Sequence, residues 1–152
     1  MAEKMKIMVL NGPNLNMLGV REVGIYGSES YADLEALIEN YASEKGIEAT
    51  VIQSNSEGEI IDFIHHSLGN YDAIIINPGA YTHYSYAIRD ALASVNLPAV
   101  EVHISNVYKR EEFRHKSITA PACTGQIACL GFRGYLLAMD YLLEEASTSA
   151  KD

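Results

Sequence analysis

Tryptophan is absent from this chain of 152 residues, cysteine occurs twice, proline four times, and eleven basic residues face twenty acidic ones. Each scarcity excludes something. A net charge of −9 argues against nucleic acid or an anionic membrane as the main partner. No apolar run approaches the roughly 20 residues that span a bilayer, and the short run Ile7 to Leu10 is no signal-peptide core, so a cytoplasmic location is expected. If the chain between Cys123 and Cys129 is extended, the two thiols stand about 20 Å apart, too far for a disulfide, and no second pair completes a zinc site. Reduced structural thiols are the expectation. The composition, 48% hydrophobic and 20% charged, is that of one soluble globular domain over residues 1–152, large enough to bury a single core.

Short apolar segments alternate with amphipathic ones, without repeat or linker, and the rhythm predicts a parallel sheet with helical crossovers. Strands are expected at Lys6 to Leu10, Glu48 to Gln53, Ala73 to Asn77, Ala99 to Ile104 and Gln126 to Leu130. Helices are expected from Ser30 to Lys45, after a Ser56/Glu59 capping box up to Gly69, from Ala87 to before Pro98, and around Tyr135 to Leu143 with a frayed tail from Ser147. Five such strands make a flavodoxin-like three-layer α/β sandwich of order 2-1-3-4-5.

In that order strands 1 and 3 are neighbours at the switch point, and ligands bind outside their carboxyl ends. Three segments should meet there: NGPNLNMLGVREVGIYG (11–27), NPGAYTHYS (77–85) and EVHISNVYKREEFR (101–114). Their polar residues Asn11, Asn14, Arg21, Tyr26, Asn77, His83, His103, Ser105, Arg110 and Arg114 supply acids, bases and carboxylate binders, but no obvious nucleophile. Arginines on one rim of an acidic chain suit a small carboxylate substrate. Arg110 and Arg114, interleaved with Glu111 and Glu112, serve surface ion pairs equally well on spacing alone. Arg21 has fewer structural duties, since a cation beside the Tyr26 phenol would lower its pKa from about 10 and create a tyrosinate base. Glu101 lies two residues before His103 on the same strand face, where it could orient the imidazole. A metal site of His83, His103, Asp90 and Glu101 is the weaker reading, because the histidines lack local ligand spacing and the arginines would repel a cation. No phosphate cradle is present, because G-x-x-x-x-G-K-[ST] is missing and Pro13 removes a backbone donor.

Together, NGPNLNMLGVREVGIYG, INPGAYTHYSYAIRDAL and VEVHISNVYKREEFR resemble the type II 3-dehydroquinate dehydratases over nearly the whole chain. The resemblance implies the same flavodoxin-like fold and reversible dehydration of 3-dehydroquinate to 3-dehydroshikimate, without metal, cofactor or lysine imine. That step serves aromatic biosynthesis or quinate breakdown. It implies Tyr26 as the base that takes a C2 proton, Arg21 as its cation, Asn14 as holder of the water that meets the enolate oxygen, and His103 as the acid, oriented by Glu101. Substrate binding falls to Asn77, Gly79, His83, Ile104, Ser105 and Arg114, with Arg110 on a mobile lid formed with the 11–27 loop. The resemblance further implies a dodecamer of trimers in which Asp90 reaches a neighbouring subunit's site. Two positions depart from the family pattern: Val23 stands where proline is usual, and Cys129 where glycine is common. Binding modules on the same fold fit less well. A phosphoacceptor receiver needs an aspartate where Asn77 stands, and a flavin carrier needs a hydroxyl-rich loop after strand 1.

Overall fold

The structure, a computed structural model, describes residues 3–20 and 22–151, with side chains as far as residue 149. Its strands are β1 (Met5–Asn11), β2 (Ile47–Gln53), β3 (Ala73–Asn77), β4 (Ala99–His103) and β5 (Gly125–Ala128), all parallel, in the order β2-β1-β3-β4-β5. The helices are α1 (Val23–Tyr26), α2 (Tyr31–Lys45), α3 (Glu57–Ser67), α4 (Tyr86–Val95) and α5 (Arg133–Lys151). The sheet order is the one expected, and its inner strands β3 and β4, buried at every position, need helices on both faces.

Alternation along β1 divides the core in two. Ile7 and Val9 point to the face covered by α2 and α5, where Leu34, Ile38, Tyr135, Met139 and Leu142 meet them. Met8 and Leu10 point to the opposite face, packed on Ile60 and Ile64 of α3 and on Ile88 and Leu92 of α4. All four β1 side chains are fully buried, so truncating one to alanine would cost about 2–5 kcal/mol.

β3 runs Ala73–Asn77 and α2 ends at Lys45 as expected, while other ends differ for local reasons. The reciprocal capping box sits on α2, where Ser30 Oγ accepts from the Asp33 amide and Asp33 Oδ2 accepts from the Ser30 amide. On α3 only half of it forms. Ser56 Oγ accepts from the Glu59 amide at 3.2 Å, but the Ser56 amide donates to Ser54 Oγ at 3.0 Å, an earlier and closer acceptor than Glu59. That helix closes at Ser67, two residues before Gly69. β5 stops at Ala128 because Cys129 takes φ +76°, which turns the chain out of the extended path. α5 continues through Lys151, past the expected fraying point; Ser147 and Thr148 there return their hydroxyl protons to the carbonyls of Leu143 and Glu144. Among the described residues no helix is long and apolar enough to cross a membrane.

Candidate active site

The carboxyl ends of β1 and β3 carry matching asparagines, Asn11 and Asn77, paired in register. A buried phenol ties them: Tyr135 Oη donates to Asn11 Oδ1 at 2.6 Å and accepts from Asn77 Nδ2 at 3.0 Å. Burial pushes the Tyr135 phenol up, with the Asn77 bond opposing, so it stays a neutral donor. The loops that leave the two strands pack back to back. A Cβ on Gly12 would lie 2.5 Å from the Pro78 carbonyl oxygen, and Gly79, at φ +60°, faces the Pro13 carbonyl oxygen at 3.0 Å from its own hypothetical Cβ. Only glycine permits that approach. The Gly79 amide donates to Asn77 Oδ1 at 3.1 Å, which leaves Asn77 with a second N–H to offer a ligand.

Between these loops and the end of β4 opens a cleft of about 130 Å³, lined by Asn14, Tyr26, Asn77, Gly79, His83, His103, Ile104, Ser105, Arg110 and Arg114 among others. Its size suits a small metabolite better than a drug-sized ligand. The 880 Å³ hollow at the opposite end of the sheet is lined, among the described residues, by carboxylates and one lysine but by no histidine or arginine. Ten of the residues expected at a site are thus brought to one place. Asp90 is not among them; it is exposed on α4, away from this cleft. Arg21 lies outside the described residues.

Tyr26 enters the cleft from α1, a single helical turn inside the glycine-rich loop. Arg110 Nη1 donates to its phenol oxygen at 2.6 Å, and the guanidinium carbon stands 5.3 Å from its ring centroid. The same arginine reaches Ser105 Oγ at 3.4 Å and Glu22 Oε2 at 3.6 Å. Its Nε is buried and has no hydrogen-bond partner among the described residues. Arg114 pairs with Glu111 and stacks its guanidinium 4.6 Å from the Phe113 centroid. That pair draws the exposed Glu111 below the usual carboxylate range.

The imidazole of His103 lies beside its neighbour on the strand, with Nε2 2.9 Å from Glu101 Oε2. Glu101 is completely buried, and burial alone would raise its pKa. Hydrogen bonds from His103, Thr119 and Ser117, with the charge of His103, outweigh burial and hold it below the usual range. An ionised carboxylate only accepts, so His103 donates through Nε2 and leaves Nδ1 for the cleft. His83 Nδ1 donates to the Lys116 carbonyl at 2.7 Å, and burial lowers its pKa, favouring the neutral ring.

This geometry, a phenol with a guanidinium on one side and an imidazole with a carboxylate on the other, can remove a proton from one carbon and deliver one to a leaving group on the next. A model of class II dehydroquinases matches residues 5–143. The chain belongs to the class II dehydroquinase family. It is 64% identical to a 3-dehydroquinate dehydratase of Lachnoclostridium phytofermentans over 91% of this chain and 97% of that one. With a relative of the same description from Thermotoga neapolitana it shares 56% over 97% of this chain and the whole of that one. The crystal structure of a type II dehydroquinase from Butyrivibrio crossotus superposes with a TM-score of 0.91 at 58% identity, covering 93% of this chain and 99% of that one.

Within this class II dehydroquinase, the backbone explains why proline is expected at Val23 and glycine at Cys129. Val23 is the first residue of α1, a position that suits proline because its φ is preset and its missing N–H is unneeded there. Cys129 at φ +76° occupies backbone that glycine adopts without strain. Its Sγ lies 3.3 Å from Asn106 Oδ1, the oxygen that also accepts from the Tyr108 amide at the start of the Arg110 segment. Both cysteines are free, and burial with the charge of Glu101 pushes the Cys123 thiol up to about 12, far from a reactive thiolate.

Sequence reasoning missed the residues that hold the others. Asn14 adopts φ +70°, its amide donating to Asn55 Oδ1 at 3.0 Å, while Gln53 donates to the Gly12 carbonyl at 3.1 Å and to Asn55 Oδ1 at 3.0 Å. Behind His103, Ser117, Thr119 and Gln126 donate to Glu101, and Thr82 bonds to both hydroxyls. Only the spacing of Ser117 and Thr119, two apart like Glu101 and His103, could have hinted at them. Among the described residues no three His, Cys, Asp or Glu side chains form a group that could hold a metal ion.

Proposed function

We propose that this chain dehydrates 3-dehydroquinate to 3-dehydroshikimate through an enolate, with Tyr26 as base and His103 as acid. One observation carries the reading: the Tyr26 phenol and the His103 imidazole line one small cleft, each against its own charged partner, Arg110 and Glu101. In this reading Tyr26 works as a phenolate, its charge opposed by Arg110 and by Arg21 from the same loop. It takes a proton from C2, next to the substrate ketone, and the electron pair moves onto the carbonyl oxygen. Asn14 holds the water that donates to this enolate oxygen. The enolate then collapses, the C1–oxygen bond breaks, and His103 gives the leaving hydroxyl its proton. Product and one water result; Tyr26 has gained a proton and His103 has lost one, and exchange with solvent resets both.

Recognition uses the remaining groups. Asn77 offers its second N–H, His83 the Nε2 lone pair of its neutral ring, and Ile104, Ser105, Gly79 and Arg114 complete the contacts to hydroxyls and carboxylate. The Arg110 Nε donor, buried with no partner among the described residues, is a further group suited to an anionic substrate. The 11–27 loop with α1 acts as a lid that carries Tyr26 into place and excludes water. Asp90, on the outer side of α4, belongs in this reading to a neighbouring subunit's site in a dodecamer of trimers.

Ultraviolet absorbance tests the proposal, because dehydration creates a conjugated enone that the substrate lacks. A rise on mixing protein with 3-dehydroquinate that survives chelator and borohydride is expected. Loss of the signal with borohydride would mean an imine, loss with chelator a metal, and no rise another substrate.

A further inference from the structure

Gln126 stands beside Glu101 in the parallel register of β4 and β5, and the two side chains share a face of the sheet. Its Nε2 donates to Glu101 Oε2 at 2.7 Å, the oxygen that also accepts from His103 at 2.9 Å and from Ser117 at 2.7 Å. Thr119 donates to the other oxygen, Oε1. Three of the four donors thus converge on Oε2 and one on Oε1. They differ in how firmly they hold the carboxylate. The hydroxyls of Ser117 and Thr119 rotate and lie 2.7 and 2.8 Å from Thr82 Oγ1, so other acceptors compete for their protons. The Gln126 amide is planar and comes from a separate strand.

We infer that Gln126 is a positioning residue for this reaction: its amide fixes the plane of the Glu101 carboxylate, which keeps His103 donating through Nε2 and leaves Nδ1 for the substrate. The role rests on His103 being the acid. A neutral donor suits the task, because a lysine at 126 would compete with His103 for the Glu101 charge and a carboxylate would repel it. Gln126 is largely exposed on an edge strand, so its replacement leaves the core untouched.

The test is a double-mutant cycle on kcat and KM with the full-length protein: Gln126→Met, Glu101→Gln and both together. Gln126→Met should lower kcat roughly tenfold, the scale of one lost hydrogen bond to a charged group, with KM unchanged. In the Glu101→Gln background the same substitution should change kcat less than about twofold, because the group it acts through has gone. Parental kcat in Gln126→Met, a loss carried by KM, or equal losses in both backgrounds would overturn the inference. His103→Asn separates the two possible failures. Normal turnover in that variant overturns the acid assignment beneath the inference, whereas an inactive His103→Asn beside an unaffected Gln126→Met overturns the positioning role alone.

Discussion

Glu101 has left water entirely and accepts four donors, so its ionisation is coupled to folding. Its folded pKa lies below the ordinary value of 4.5. The sign follows from proton counting: the unfolded chain binds the proton more readily, so the stabilisation is fully present above the unfolded value and disappears as pH falls through the folded one. Urea midpoints measured between about pH 3 and 6 should drop on the acid side in the parent, and by less in Glu101→Gln. A parallel fall in both proteins would place the acid sensitivity elsewhere. At Tyr26 the expected outcome is kinetic. Tyr26→Phe keeps ring and packing but removes the group that accepts the proton, so turnover should vanish while substrate affinity, measured by calorimetry, persists. Near-normal turnover would exclude Tyr26 as the base.

The elements carry the site through their ends. β1 and β3 stop side by side and present Asn11 and Asn77, β4 ends at His103, and the tight Gly12 and Gly79 contacts bring the first two loops together. The positive φ of Cys129 ends β5 and places its thiol against Asn106, at the root of the Arg110 segment. Left-handed backbone costs a residue with a Cβ roughly 1–2 kcal/mol, and part of that gain is lost to the greater freedom of glycine in the unfolded chain. Cys129→Gly should therefore raise stability by up to about 1 kcal/mol in urea unfolding, and a destabilised variant would show that the thiol contact outweighs the strain. Strand and helix identities were readable because each segment repeats one apolar period. Some ends were readable as well, β3 at Ala73–Asn77 and α2 at Lys45 among them; the Ser54 competition within the α3 cap and the turn at Cys129 were not, because they are local hydrogen-bond and backbone events that periodicity does not encode.

On the scale of the whole molecule, an acidic chain gathers Arg110 and Arg114 into one cleft, where their guanidiniums can meet an anion despite the net charge of −9. Asp90 is exposed on α4 and apart from the cleft, and only the proposed assembly gives it a part in a site. Asp90→Ala should weaken turnover if neighbouring subunits complete one another's sites. Sedimentation together with an assay checks this: unchanged activity in Asp90→Ala and an active isolated monomer would both count against shared sites.

From the sequence alone came the parallel sheet and its order, and the gathering of Tyr26, His103, Asn77 and the two arginines at the strand ends. Apolar period, right-handed crossovers and the switch-point rule leave few alternatives, and the Glu101 and His103 pair was readable because two residues along a strand return to the same face. Tertiary structure alone decided the supports: Tyr135 between the two asparagines, Asn55 under Asn14, Arg110 on Tyr26, and Gln126 on Glu101. These contacts join residues 25 to 124 positions apart, and they depend on sheet register and on which side chain reaches a buried polar atom first.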